Sequence, residues 1–247
     1  MLNGKLRIAL LISGGGTTAR EILRACKDGR LPHVEPALVI ASKPEAGGVQ
    51  KVLAEDMAEK DVVVIRPERG NPGSPKFGEA ILKACRERGV QFIGQYGWLP
   101  ITPSNVLVEY ENMIVNQHPG PLDPANPGMD FGGAGMYGRR VHCARLLFVR
   151  RVKRDFWTEA VTHHVTTEVD RGRVINSARV EILPNDDVIS LQERVLPIEH
   201  QVQIETLRMF SEGQVKEVHR EQPLIARYEL GYLEEAKKTA ITLWPNG

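Results

Sequence analysis

An asparagine and a histidine stand two residues apart at the end of an apolar run, in Val115-Asn116-Gln117-His118-Pro119. Residues 113–115 read as a strand. Strand alternation then puts Asn116 and His118 on one side. Histidine moves protons near neutral pH. Asparagine donates a hydrogen bond to a developing oxyanion without adding charge. Pro119 stiffens the exit. Together they suit chemistry at a carbonyl. For His118 by itself, a loop imidazole bonded to backbone is the plainer reading.

A second candidate lies near the start, in Ser13-Gly14-Gly15-Gly16-Thr17-Thr18. It joins an apolar strand over residues 6–12 to a helix over 18–29. Glycines let the backbone turn tightly and approach a ligand. Free N–H groups and the positive helix end favour an anion, and a phosphate is the natural guest. The other reading is a tight turn with no ligand. Gly14-x-Gly16-x-x-Ala19 fits the dinucleotide fingerprint loosely, and the second strand, 37–41, runs into Ser42-Lys43 with no acidic residue. A nicotinamide cofactor therefore has little support.

The elements that must position these groups alternate. Strands are expected at 62–65 and 91–94, and helices at 49–60 and 77–88. Such βαβ units build an open, mostly parallel sheet with helices on its faces, an α/β Rossmann-like class. Residues 119–138, rich in proline and glycine, read as a long surface loop that substrate would order. A helix over 141–149, strands over 160–166 and 173–182, and a long helix over 189–212 follow. The apolar stripe of that last helix suits core or subunit packing, which leaves a homodimer open.

Three separated blocks resemble the phosphoribosylglycinamide formyltransferase family of the formyltransferase superfamily: RIALLISGGGTTAREILRAC, MIVNQHPGPL and HHVTTEVDRGRVI. A fourth, RVLPIEHQVQIETLRMFSEGQV, resembles the family's C-terminal helix. The resemblance implies the formyltransferase fold, with a catalytic domain over 1–215 and an extension of unassigned role over 216–247. It implies transfer of a formyl group from the cosubstrate 10-formyltetrahydrofolate to the amine of glycinamide ribonucleotide, a step of purine biosynthesis. Asn116, His118 and Asp170 match the catalytic trio. By this resemblance Asn116 and a protonated His118 stabilise the oxyanion. Asp170 holds His118 charged and helps pass the proton to the leaving folate nitrogen. Gly16, Thr17 and Thr18 match the phosphate loop, and Glu199 a glutamate that contacts the ribose. Tyr96, Gly97, Trp98 and Leu99 stand where the family lines its pterin pocket. Thr166, Thr167, Glu168 and Val169 match the opposite wall. His163 matches a histidine beside the site, or is a core residue. No metal is implied. Two other readings stay open: a formyltransferase for another amine, such as a nucleotide-linked amino sugar, and a non-catalytic folate- or nucleotide-binding relative.

The sequence departs from the family just after His118, in Gly120-Pro121-Leu122-Asp123-Pro124 and in MDFGGAGMYGRR. Arg139, Arg140, Arg145, Arg150, Arg151, Lys153 and Arg154 then make a basic segment. It reads as a solvated face, or as a contact for a phosphate, the folate tail or RNA. The formal net charge of +1 gives no general argument for nucleic acid, so small-molecule partners are expected. No apolar run reaches the ~20 residues that span a bilayer. Cys26, Cys85 and Cys143 are odd in number and far apart, which favours free thiols and the cytoplasm. His163 and His164 point to opposite faces of a strand, and His142-Cys143 lacks a second ligand pair, so no metal site is expected.

Overall fold

The computed structural model describes residues 4–247. Seven strands form one sheet in the order β3-β2-β1-β4-β5-β6-β7. The chain divides into two compact units, Met1–Gln117 with Gln203–Val215, and His118–Val202 with Lys216–Gly247.

In the first unit β1 (Leu6–Ile12) pairs in parallel with β2 (Val34–Ala41) and β4 (Phe92–Gln95). Strand β2 pairs with β3 (Val62–Val64), and β4 with β5 (Ile114–His118), again in parallel. Six of the seven residues of β1 are buried, as a strand covered on both faces requires. Each buried Leu or Ile there stabilises by about 1.5–3 kcal/mol. Helix α1 (Thr17–Lys27) buries Ala19, Ile22 and Leu23. Helix α3 (Pro75–Arg86) starts where Ser74 caps the Phe77 N–H at 3.1 Å, with proline in the first turn. Helix α2 (Gly48–Leu53) is shorter than the 49–60 its pattern predicts, because Asp56 turns left-handed at φ 62° and stops it. Helix α4 (Ser104–Glu109) was not expected, being too short to show a helical period.

In the second unit β6 (Trp157–His164) and β7 (Val174–Glu181) pair antiparallel. Helix α5 (Arg139–Val152) packs beside α7 (Leu230–Leu243). Helix α6 (Val188–Glu212) begins here and runs into the first unit, with Pro197 inside it. Phe131, Val141, Leu146, Phe148, Val195, Ile225 and Leu233 belong to one core cluster.

The tail 216–247, unassigned from the sequence, carries α7 and shares that core. Two expectations change. Residues 119–138 are not a plain surface loop, since Leu122, Asp123, Asp130 and Phe131 are buried. Their polar groups find partners inside: Asp130 accepts from the N–H groups of Asp123 and Gly132, and Asp123 from that of Leu224. The basic segment is neither a uniform solvated face nor a free anion contact. Arg145 is 1% exposed between the rings of Phe131 and Trp157, and donates to the carbonyls of Trp157 and Asp155.

Candidate functional site

Strand β5 ends on Asn116 and His118, on alternate positions as its pleat dictates. His118 is 2% exposed, whereas Asn116 is half-buried. The hairpin from β6 to β7 delivers Asp170 in a left-handed turn at φ 57°. A non-glycine residue held there marks a constrained position.

Asp170 lies between two imidazoles. Its Oδ2 is 3.6 Å from Nδ1 of His118, and its Oδ1 is 3.5 Å from Nε2 of His163. The far nitrogens face backbone carbonyls, His118 Nε2 at 3.2 Å from Phe131 and His163 Nδ1 at 2.8 Å from His164. Carbonyl and carboxylate oxygens both accept, so each ring stands between two acceptors: a neutral imidazole satisfies one of them and an imidazolium both.

Its charges follow from burial. For Asp170 burial is the largest influence and opposes ionisation, but His118, His163 and the Gly133 N–H outweigh it and hold the carboxyl well below its usual range. For His118 burial also dominates and pushes the imidazole below its ordinary value. Asp170, Asp130 and the Phe131 carbonyl push it up, while His163 pushes it down. Burial and Asp170 thus act on the His118 ring in opposite directions.

The remaining sequence-predicted residues fall as follows. Gly16 caps α1 at φ 60°, with Gly14 and Gly15 exposed, Thr17 half-buried and Thr18 buried. Gly48 N–H donates to Gly14 O at 3.0 Å, and a Cβ on Gly48 would lie 2.8 Å from Gly16 Cα. The glycines are therefore required by close approach of two backbones. Lys51, which sequence reasoning passed over, brings its Nζ over the loop, 3.7 Å from where a Gly15 side chain would begin. Tyr96 and Trp98 are buried, Trp98 stacking on Phe77 at 6.2 Å, while Leu99 is 55% exposed. Gly97 turns at φ 75° and its carbonyl accepts from Ser13 N–H at 3.0 Å. From residues 96–99 only backbone and Leu99 face outward. Thr166, Thr167, Glu168 and Val169 form an exposed stretch that ends on Asp170. Glu199 is buried on α6. The structure thus joins His118, Asp170 and His163, and adds Phe131 and Gly133 from the rewritten loop. His142 is buried on α5, and among the described residues its Nδ1 has no hydrogen-bond partner. Among the described residues no three His, Cys, Asp or Glu are grouped to hold a metal ion.

Parallel strands with a glycine loop after β1 and His118 at the end of β5 define an open α/β protein. The chain belongs to the formyl transferase family, which it matches over residues 6–207. It is 29% identical over 210 residues to the chloroplastic phosphoribosylglycinamide formyltransferase of Arabidopsis thaliana, covering 85% of this chain and 67% of that one. It is 27% identical to the phosphoribosylglycinamide formyltransferase of Haemophilus influenzae, over 85% of this chain and 89% of that one. The crystal structure of glycinamide ribonucleotide transformylase 1 from Symbiobacterium toebii superposes with a TM-score of 0.71 at 28% identity, covering 85% and 89% of the two chains.

Proposed function

We propose that this chain transfers the formyl group of 10-formyltetrahydrofolate to the primary amine of glycinamide ribonucleotide. The observation that carries the reading is the buried His118–Asp170 pair at 3.6 Å, in a chain of this family. The amine nitrogen attacks the formyl carbon, and the formyl oxygen takes the negative charge. Asn116 donates a hydrogen bond to that oxygen. Neutral His118 accepts the proton released by the amine, and ionised Asp170 stabilises the imidazolium. The intermediate collapses, the bond from the formyl carbon to the folate nitrogen breaks, and that nitrogen receives the proton. Gly16, Thr17 and Thr18 hold the ribonucleotide phosphate, with Lys51 supplying a cation. Glu199 takes the ribose. The backbone of 96–99 and the stretch 166–169 take the folate.

Both partners are small molecules, and among the described residues no helix is long and apolar enough to cross a membrane. The three cysteines are free thiols, which supports the cytoplasm as the compartment. The test offers 10-formyltetrahydrofolate with glycinamide ribonucleotide or with a nucleotide-linked amino sugar, and follows tetrahydrofolate release. Formylation of the amino sugar alone overturns the acceptor. Turnover that His118→Ala leaves unchanged overturns the mechanism.

A further inference from the structure

The family match ends at residue 207, yet α7 lies beyond it and reaches the residues around Asp170. Lys237, half-buried on α7, donates to the Gly132 carbonyl at 2.9 Å. The N–H of the same peptide unit, on Gly133, donates to Asp170 Oδ2 at 3.0 Å. One peptide plane therefore links the Lys237 ammonium to the Asp170 carboxylate. That plane is flanked by glycines on both sides, with Gly133 at φ 100°. Glycines on either side leave a peptide free to flip, which would turn a carbonyl, and not an N–H, toward the carboxylate. The ammonium blocks the flip and polarises the N–H it faces through the amide. A Cβ on Gly132 would lie 2.8 Å from Asp170 Cβ, so the glycine there is sterically required. Lys237 is surrounded by Asp130, Arg171 and Asp170, and burial is the main influence lowering its pKa. The tail is fastened to the same loop a second time. Arg140 donates to Gly135 O at 2.9 Å, Trp244 O at 2.8 Å and Pro245 O at 2.6 Å.

We propose that α7 is a strap on the active site, in which Lys237 is a positioning residue that locks the Gly132–Gly133 peptide so that its N–H holds Asp170. The kinetic half of the test rests on the proposed formyl transfer, and the other half does not. In the full chain, Lys237→Met is compared with Lys237→Arg. Lys237→Met is expected to lower kcat about 10-fold at unchanged KM and to speed hydrogen exchange at the Gly133 amide about 10-fold, with Lys237→Arg recovering most of both. Lys237→Gln, which can still donate to Gly132, falls between them and serves if the methionine variant does not fold. Gly133 exchange like that of the wild type in both neutral variants overturns the strap. So does a kcat loss shared equally by the arginine variant. If the wild type formylates no glycinamide ribonucleotide, the acceptor reading fails while the amide exchange still decides on Lys237.

Discussion

Asp170 sets its Oδ2 3.6 Å from Nδ1 of His118, whose other ring nitrogen lies 3.2 Å from the Phe131 carbonyl oxygen. The carboxylate thus stands where it stabilises the ring in its protonated form. Asp170→Asn keeps the shape and removes the charge. Steady-state kcat should fall by about 100-fold, within the range of positioned acid–base groups. The sign at His118 is also fixed. Asp170 raises the His118 pKa against burial, so the asparagine variant should titrate His118 at lower pH than the wild type. A kcat within twofold of wild type, or a His118 titration that moves up, contradicts the assignment.

His142 gives a pH dependence of stability. Burial first, then the neighbouring His118, pushes its pKa down to about 4. An unfolded histidine titrates near 6.5, so the unfolded chain binds this proton more readily than the folded one. Stability is therefore complete above about pH 6.5 and lost as pH falls toward 4. The loss from this group is about 3 kcal/mol, at 1.36 kcal/mol per pKa unit. His142→Leu should flatten denaturant-derived stability between pH 4 and 6.5 relative to the wild type. Parallel curves for the two proteins would remove His142 from the account.

The tail is tied by charge as well as by its core. Glu159, buried on β6, is met by the Arg220 guanidinium, which also donates to Leu122 O at 2.8 Å. Arg179 reaches the same carboxylate at 3.5 Å but is largely exposed. Arg220→Met leaves a buried carboxylate poorly compensated and should cost about 3 kcal/mol of unfolding free energy. Adding Glu159→Gln should restore at least half. A single-variant loss below about 1 kcal/mol means that Arg179 or water suffices.

The parallel half of the fold was legible because continuous apolar runs such as 6–12 admit few other structures. The Asn-x-His spacing on a strand end was legible for the same reason, since pleat geometry converts it directly into placement. The state of His118 was not. Burial opposes Asp170 at this ring, and burial depends on chain far from residue 118. Phe131, Gly133 and Lys237 act through backbone atoms or from a segment outside the family blocks, so side-chain type gave no signal. The basic stretch 139–154 misled because arginine was read as surface charge, whereas Arg145 is enclosed by aromatic rings. Helix α7 was unassigned because its buried face holds only Leu233, Ala236 and Ala240, a weak apolar signal, and its packing beside α5 emerges only in the structure.

The glycine loop makes the last prediction, because its shape depends on a residue outside it. Gly48 opens α2 and donates to Gly14 O, while its Cα hydrogens lie against Gly16. A Cβ at 48 would stand 2.8 Å from Gly16 Cα and 2.8 Å from Ile12 Cδ1, closer than real contacts allow. Neither backbone nor a buried strand side chain yields cheaply, so Gly48→Ala should cost about 1–3 kcal/mol of stability. The displaced loop would present its N–H groups wrongly to a phosphate. KM for glycinamide ribonucleotide should rise about 10-fold with kcat within twofold, since the His118–Asp170 pair is untouched. The same acceptor without its phosphate should be formylated equally by both proteins. An equal KM rise for the two acceptors would mean that this loop does not read the phosphate.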